Sequence, residues 1–312
     1  MKRMDRKEVP EKRGEIRLFS VMKNEALRLP YWLHHYRRIG VDRFFIVDNA
    51  SSDETGRLLL DQPDVHLYRS DEDFQRSQSG RLWLSSLMAT HGNGYWCVVA
   101  DADEVLAYPD WETVPLRTLT ESLEAEGHDT LECLLLDMYS DLPIRETHYA
   151  AGSDPFAICP WFDPDFKAIE GAVDHNGGRI LIPTYVGSTR RKAFGVEAYL
   201  SKIGLVRFRP EMLLTRGQHG IVGGRPSPMR GVLFHFKYFA DFPDAVSRVM
   251  LQGERANCSA EWRAYQRALD RNPRLSLHDH RSVRLIDSHQ LCRLGLMRTG
   301  DTFERHVHGA VR

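Results

Sequence analysis

The sequence predicts an α/β fold in which a mostly parallel sheet is covered by helices on both faces. Short, nearly continuous apolar segments of strand length recur through the first 140 residues. Segments with apolar residues at helical spacing separate them. This alternation is typical of strand–helix–strand units, and parallel strands are nearly all apolar because helices bury both of their faces.

The predicted elements of this part follow one another as strand, helix, strand, helix, strand, helix, strand. The strands cover residues 16–22, 43–47, 65–68 and 95–100. The helices cover residues 25–39, a short segment through 58–60, and about 75–90. Gly40 ends the first helix. Ligands of such sheets bind at the carboxyl ends of the strands, so the loops after Met22, Val47 and Ala100 are the first places to expect a functional site.

The pattern changes after a further predicted strand at 131–136. Residues 141–230 are rich in Pro, Gly, Asp and aromatic residues and are longer than a plain connection, which predicts a substrate-side region. Residues 232–238 alternate like a strand, and apolar residues at helical spacing from Phe242 onward predict two or three helices. The expected organisation is a charged N-terminal arm (1–14), a main domain (15–240, with a ligand-binding part 15–140 and a part 141–240), and a C-terminal helical extension (241–312).

Composition and charge are those of an ordinary folded protein. Apolar residues make up 42% and charged residues 27% of 312 residues, which excludes disordered, collagen-like and disulfide-scaffold classes. The formal net charge of -1 gives no reason to expect a nucleic-acid partner. The five cysteines form no C-x-x-C pair, and neither a signal peptide nor an apolar run of membrane-spanning length is present. We therefore expect a cytoplasmic protein.

An acidic motif, Asp101, Asp103 and Glu104, directly follows the apolar strand that ends at Ala100. Carboxylates that converge there repel one another unless a cation lies between them. Mg²⁺ and Mn²⁺ take carboxylate oxygens and leave positions for phosphate oxygens. A solvated acidic turn is the alternative for such a motif alone, but its place after a buried strand favours a metal site.

Two other loops at the same sheet edge carry polar residues. Asp48 and Asn49 end the second strand, where Asp48 is placed to accept hydrogen bonds from a base or a ribose. Asp53 has the alternative role of capping the next helix. The loop after the first strand either faces a nucleotide or simply begins the next helix. Its candidate residues are Lys23, Asn24 and Glu25.

Together these motifs resemble glycosyltransferase family 2, whose GT-A fold is a Rossmann-like α/β architecture. The likeness lies in N-E-A at 24–26, a helix that carries His35 and ends at Gly40, V-D-N-x-S-x-D at 47–53, and D-x-D-E at 101–104. Each motif is weak alone. Their order along the chain makes the resemblance more specific.

The resemblance implies a metal-dependent glycosyltransferase that moves a sugar from a nucleotide-diphosphate sugar, with a UDP-sugar favoured, to a hydroxyl acceptor with inversion. It places Asp48 near the base, Asp101 near the ribose or the metal, and Asp103 on Mn²⁺ or Mg²⁺ held against the diphosphate. A metal and cationic groups would stabilise the charge that the leaving nucleoside diphosphate gains. Arg76 and Arg81 match positions close to the donor, with a solvated helix face as the alternative.

Three downstream residues complete the candidate set. His235 alternates with phenylalanines, so it and Lys237 are expected on one face of a strand. The resemblance implies that His235 joins Asp101 and Asp103 as a metal ligand, and Lys237 is expected to meet the donor diphosphate. His219, in G-Q-H-G, is a further candidate. A structural histidine is the alternative for both.

The sequence does not identify the general base by a motif. Inverting transfer needs a carboxylate within reach of the acceptor hydroxyl. The usual acidic motif of family 2 is not evident in residues 137–197. Besides Asp103, the residues assigned to catalysis are Glu170 and Asp174, as candidates for this base.

The expected partners are a nucleotide-sugar donor and a saccharide or lipid-linked acceptor, without nucleic acid. Residues 241–312 contain twelve arginines, no lysines and nine acids. This composition allows either peripheral contact with an anionic membrane or simply a solvated helical surface.

Two alternative functions stay open. A nucleotidyltransferase on a related fold would need a Gly-rich loop after the first strand, which is missing here. The other is a non-catalytic module that binds a nucleotide sugar or a carbohydrate. Binding alone does not require both an intact D-x-D motif and a histidine.

Overall fold

The computed structural model describes residues 1–175, 178–215, 218–252 and 260–309, with the backbone alone at 173–175, 178–183 and 252. The strands, in chain order, are β1 (Lys2–Arg3), β2 (Ile16–Met22), β3 (Arg43–Asp48), β4 (Val65–Arg69), β5 (Trp96–Val99), β6 (Glu104–Ala107), β7 (Thr130–Asp137), β8 (Trp161–Phe162), β9 (Phe166–His175), β10 (Gly178–Gly187), β11 (Ser201–Arg207), β12 (Leu213–Thr215), β13 (Gly220–Val222), β14 (Pro226–His235) and β15 (Val283–Arg284). The α-helices are α1 (Leu29–Ile39), α2 (Thr55–Leu60), α3 (Arg81–His91), α4 (Leu116–Ala125), α5 (Pro155–Ile158), α6 (Ser188–Phe194), α7 (Phe242–Gln252), α8 (Ala260–Arg271), α9 (Ser288–Arg293) and α10 (Asp301–His308).

A large central sheet organises the chain. Within the described ranges it has nine strands in the order β1-β4-β3-β2-β5-β11-β7-β14-β6. Strands β2, β3, β4, β5, β7 and β14 run in one direction, while β1, β11 and β6 run against them. The block β4-β3-β2-β5 has the strand order of a Rossmann-like nucleotide-binding fold. The predicted fold class, α/β with a mostly parallel sheet flanked by helices, is confirmed.

The two faces of the sheet bury separate apolar clusters. Successive side chains of a strand point to opposite faces, so Leu18 packs into the cluster that contains α1 and α4 while Phe19 packs into the cluster that contains α3. Helix α1 carries a proline in its first turn and ends at Gly40, whose φ of 105° is readily adopted only without a side chain. The predicted end of this helix is therefore confirmed.

Several boundaries differ from the sequence predictions. The helix expected from residue 25 begins at Leu29, after a turn in which the Arg28 and Leu29 N–H groups donate to the Glu25 carbonyl. The helix expected from about 75 begins at Arg81, because Gln78, Ser79 and Gly80 have φ between 54° and 80° and cannot continue a right-handed helix. The strand expected at 232–238 ends at His235.

The segment 141–230 adds structure that the sequence did not predict. Strands β9 and β10 form an antiparallel pair, followed by α6 and then β11. Strand β11 enters the central sheet between β5 and β7, antiparallel to both. This region is therefore part of the main sheet as well as an addition to it.

Both ends of the chain pack against this core. In the N-terminal arm, β1 pairs with the edge strand β4. Helices α7 and α8 bury Phe242, Trp262 and Tyr265 in a third cluster with Tyr139 and Tyr238 of the main domain. Four helices, α7 to α10, lie in the described part of 241–312, rather than the two or three expected. None of the helices in the described ranges has the length and apolar character needed to cross a membrane.

Candidate functional site

The centre of the candidate site is the contact between Asp103 and His235. In the antiparallel β6–β14 pair, His235 stands opposite Glu104, and the Phe236 N–H donates to the Asp103 carbonyl over 2.8 Å. The pairing therefore brings the two residues together at the carboxyl end of the sheet. The His235 Nε2 atom lies 3.0 Å from the Asp103 Oδ2 atom. Asp103 reaches this position because it follows β5, as the sequence predicted.

The other nitrogen of His235 is held by Asp137. These two residues are opposite each other in the parallel β7–β14 pair, and Nδ1 lies 2.6 Å from the Asp137 Oδ1 atom. Arg190 of α6 binds both oxygens of the buried Asp137 carboxylate at 2.9 and 3.0 Å. Burial alone would lower the pKa of His235, but the carboxylates of Asp103 and Asp137 outweigh it and raise the pKa to about 9.

Asp101 and Glu104 are compensated by a lysine that the sequence analysis did not single out. The Lys202 Nζ atom lies 2.9 Å from the Asp101 Oδ2 atom and 2.7 Å from the Glu104 Oε1 atom. Gln218 donates to the other Asp101 oxygen over 2.7 Å. The repulsion expected among these carboxylates is therefore relieved in part by cations of the protein itself. Burial raises the pKa of Glu104 to about 7, even though Lys202 acts to lower it.

A divalent cation fits Asp103 and His235 but not a three-residue set. In the described part of the chain no three His, Cys, Asp or Glu side chains are arranged to hold a metal ion. Without a cation this 3.0 Å contact is a hydrogen-bonded ion pair from His235 Nε2 to Asp103, and an ion bound to both atoms at about 2.1 Å would take the place of the Nε2 proton. Mg²⁺ is often held by one or two protein groups together with substrate phosphates and water. Asp101, the third predicted ligand, has both oxygens engaged by Lys202 and Gln218.

The loops after β2 and β3 are tied to each other. Asn24, with a φ of 59°, accepts from the Ser52 N–H over 2.8 Å. Asp53 accepts from the Ala26 N–H over 3.2 Å and from the Thr55 N–H over 3.0 Å, while the N-cap residue of α2 is Glu54.

Asp48 and Asn49 are buried at the end of β3. The Asp48 Oδ1 atom accepts from the Ser51 N–H over 2.9 Å, and Arg69 approaches Oδ2 at 3.7 Å. Asn49 donates to the Ser70 carbonyl over 3.0 Å. These contacts shape the edge of the sheet beside the site.

Three basic candidates follow strands at the carboxyl edge of the sheet, Lys23 after β2 and Arg76 and Arg81 after β4. Lys23 and Arg76 are exposed, and the Arg76 N–H donates to Asp73 over 3.0 Å. Arg81 begins α3, where it contacts the Leu214 carbonyl at 3.4 Å.

Lys237 faces the C-terminal helices. Its ammonium lies 4.9 Å from the ring centre of Trp262, 4.7 Å from that of Tyr265, and 3.9 Å from the Glu261 carboxylate. Burial lowers the pKa of Lys237 to about 8. In this arrangement the ammonium contacts a carboxylate and aromatic rings and its charge also acts on Asp103, so its contact with the diphosphate stays a prediction.

The remaining candidates lie outside the Asp103–His235 contact. His219 donates from Nδ1 to the Ser201 carbonyl over 2.6 Å, and burial lowers its pKa to about 4, so it stays neutral. Glu170 is exposed on β9, opposite Pro183 of β10. Asp174 belongs to the same strand, and its side chain lies outside the described residues.

Comparisons with known proteins find likeness in overall structure alone. The sequence matches no family model and no curated protein. A 4-diphosphocytidyl-2C-methyl-D-erythritol synthase shares 16% identity, with 55% of this chain and 73% of that chain covered and a TM-score of 0.28. A Bacillus anthracis protein assigned as a glucose-1-phosphate thymidylyltransferase, in complex with sucrose, shares 10% identity, with 93% and 99% covered and a TM-score of 0.31. The UDP-glucose pyrophosphorylase from Acinetobacter baumanii shares 10%, with 55% and 74% covered and a TM-score of 0.29. Likeness at these TM-scores carries no argument about function.

Proposed function

We propose that this protein is a metal-dependent glycosyltransferase of the GT-A type, which moves a sugar from a UDP-sugar to a hydroxyl acceptor with inversion. The observation that carries the proposal is the Asp103–His235–Asp137 contact chain at the carboxyl end of the sheet. A carboxylate and an imidazole face each other there, and a buried second carboxylate fixes the imidazole. A second carboxylate behind a histidine is the usual support of a metal-binding imidazole.

Asp103 and His235 would hold Mn²⁺ or Mg²⁺ in this proposal. Asp137 accepts the Nδ1 hydrogen of His235, which leaves Nε2 as the nitrogen that faces Asp103. The chemistry that such a cation supplies is neutralisation of the charge that builds on the departing nucleoside diphosphate. Asp101, held by Lys202, is left to orient the donor ribose.

Asp48 and Asn49 form the wall for the base, at the end of β3. Lys23, Arg76 and Arg81 follow strands at this edge of the sheet, where their charges attract the diphosphate. The acceptor that we propose is a saccharide or a lipid-linked sugar. The arginine-rich helices of 241–312 would bring the protein to the cytoplasmic face of a membrane that carries such a lipid.

A panel of nucleotide sugars tests the proposal. UDP-glucose, UDP-galactose, UDP-N-acetylglucosamine and their GDP counterparts are added to the protein with MnCl₂ or with EDTA, and the melting temperature is measured. A ligand present at 100 times its Kd stabilises a folded protein by about 2.7 kcal/mol. We expect one UDP-sugar to raise the melting temperature with Mn²⁺ and much less with EDTA, and the same donor to release UDP on incubation.

Two variants make this test specific. Asp103→Asn should abolish the difference between MnCl₂ and EDTA and the release of UDP, because the amide oxygen can still accept from His235 but offers a cation no charge. Glu121→Gln, on the exposed face of α4, is the matched control and should behave like the wild type. Stabilisation by no nucleotide, or equal stabilisation in MnCl₂ and EDTA, would contradict the proposal. Binding of a donor without release of UDP would instead indicate a binding module.

A further inference from the structure

The proposed transfer also needs a residue that removes the proton from the acceptor hydroxyl. A carboxylate that does this must lie near Asp103, must be reachable from solvent, and must have an oxygen that no other group engages. The carboxylates whose charges meet around Asp103 are Glu25, Asp101, Glu104, Asp137 and Asp241.

Four of these carboxylates fail at least one requirement. Asp101 has both oxygens engaged, and Asp137 is buried and held by Arg190. The Glu104 side chain is 1% exposed and paired with a lysine. Arg28 binds both oxygens of Asp241, at 3.0 and 3.1 Å.

Glu25 meets the requirements. Its side chain is 23% exposed, and the one ion pair that it makes with the described residues is long, 3.4 Å from Oε2 to the Arg28 Nη1 atom. No donor in the described part of the chain reaches its Oε1 atom. The backbone is nevertheless fixed, because the Glu25 N–H donates to Thr55 over 2.8 Å and its carbonyl accepts from Leu29 over 3.0 Å.

A small cavity of about 10 Å³, enough for one water molecule, lies on the side of Arg28 that faces Asp103. Arg28, which holds the Glu25 side chain, lines this cavity together with Asp103. Tyr149 and Phe239 form aromatic walls, with their ring centres 4.6 Å apart.

We propose that Glu25 is the general base of the transfer, an inference that rests on the proposed function. The Glu25 carboxylate takes the proton of the acceptor hydroxyl as the hydroxyl oxygen forms a bond to C1 of the donor sugar. The bond from C1 to the diphosphate oxygen breaks, and its electron pair leaves with the nucleoside diphosphate. Atoms and charge balance without a further reactant.

The environment of Glu25 agrees with this role. Burial, and the nearby carboxylates of Asp103, Asp241 and Asp101, raise the pKa of Glu25 to about 8, while the charge of Arg28 opposes this shift. A carboxylate with a raised pKa is a stronger base, and proton transfer is most efficient when the pKa lies near the working pH.

The test compares a nucleophile that must lose a proton with one that does not. Glu25→Gln keeps the size of the side chain and can still bind Arg28 through its amide oxygen. The donor is the UDP-sugar selected in the panel above, the two nucleophiles are water and azide, and UDP release is measured in single turnovers. We expect hydrolysis to fall by about 10²–10⁴-fold. Reaction with azide, an anion, should stay within about threefold of the wild-type rate, as should the Kd for UDP with Mn²⁺.

Asp241→Asn is the matched variant, because it removes the other carboxylate on Arg28. Loss of correct Arg28 placement would slow hydrolysis and azide reaction to the same extent, so we expect Asp241→Asn to change the two rates in parallel. Equal loss of both rates in Glu25→Gln, or full hydrolysis in that variant, would overturn the inference. Loss of hydrolysis with azide reaction kept in Glu170→Gln instead would also overturn it. Failure of the proposed function looks different, because the wild type would then release UDP from no donor.

Discussion

Replacing Lys202 by methionine tests the charge compensation beneath the site. Lys202 and Glu104 form a buried ion pair 2.7 Å long, with side chains 4% and 1% exposed. Lys202→Met keeps the aliphatic stem and removes the ammonium, which leaves the Glu104 carboxylate buried without its cation. Removing one partner of a buried pair costs about 3–5 kcal/mol. Asp101, the other partner, is 44% exposed, so the loss of its contact adds little.

The expected change is large enough for two simple assays. Urea unfolding followed by tryptophan fluorescence should show the loss of about 3–5 kcal/mol. At on the order of 2 °C per kcal/mol, the melting temperature should fall by roughly 6–10 °C. The double variant Lys202→Met/Glu104→Gln removes the uncompensated charge and should recover most of this stability.

The pH dependence of the loss has a definite sign. The pKa of Glu104 is raised to about 7 in the folded protein. Its contribution to the free energy of unfolding is therefore fully present below pH 4.5 and is lost as the pH rises through 7. Lys202→Met raises this pKa further, because the lysine acts to lower it. The cost of the substitution should therefore be larger at pH 8 than at pH 5. A loss under 1 kcal/mol at pH 8, or a double variant no more stable than Lys202→Met, would refute the reasoning.

Three further predictions concern single residues. His235→Ala should raise the Mn²⁺ concentration needed for half-maximal UDP release, whereas a merely structural histidine would lower the melting temperature and leave that midpoint unchanged. Asp48→Ala should weaken UDP binding by about 1–3 kcal/mol in calorimetry. An unchanged Kd would mean that Asp48 has only a structural role, as the acceptor of the Ser51 N–H. Burial lowers the pKa of His35 to about 3, so below about pH 6.5 the unfolded chain gains a proton that the fold excludes, and stability falls by up to about 1.4 kcal/mol per pH unit. His35→Leu should reduce the slope of urea stability between pH 6.5 and 4.5, and an equal slope in both proteins would contradict this explanation.

Strands that are buried on both faces could be predicted from the sequence. Residues 16–22 and 43–47 are nearly continuous apolar runs because helices cover the sheet on each side. The start of α3 could not be predicted in the same way. Gln78 is a good helix former, and the left-handed backbone of Gln78 and Ser79 is set by the turn that they form before Arg81.

The candidate site could be predicted where its residues follow strands. Asp103 belongs to a motif after a buried strand, and the alternation around His235 indicated a strand position. Lys202 could not be found, because it lies 101 residues from Asp101 and belongs to no local pattern. Its placement depends on an antiparallel strand entering a mostly parallel sheet. The link between Asp137 and His235 could not be found either, since it depends on β7 and β14 being neighbours in the sheet.

The entry of β11 between β5 and β7 has a consequence for how the chain folds as it is synthesised. When the first 140 residues have been made, β5 and β7 are both complete, but the strand that joins them in the sheet is 201–207. Both strands would have to keep open edges until that segment arrives, and open edges invite pairing with other chains. Contacts over such long sequence separations form slowly. The sheet built from the first 140 residues therefore completes its folding only after residues 201–207 have been made, and a fragment that stops near residue 140 would be prone to aggregate.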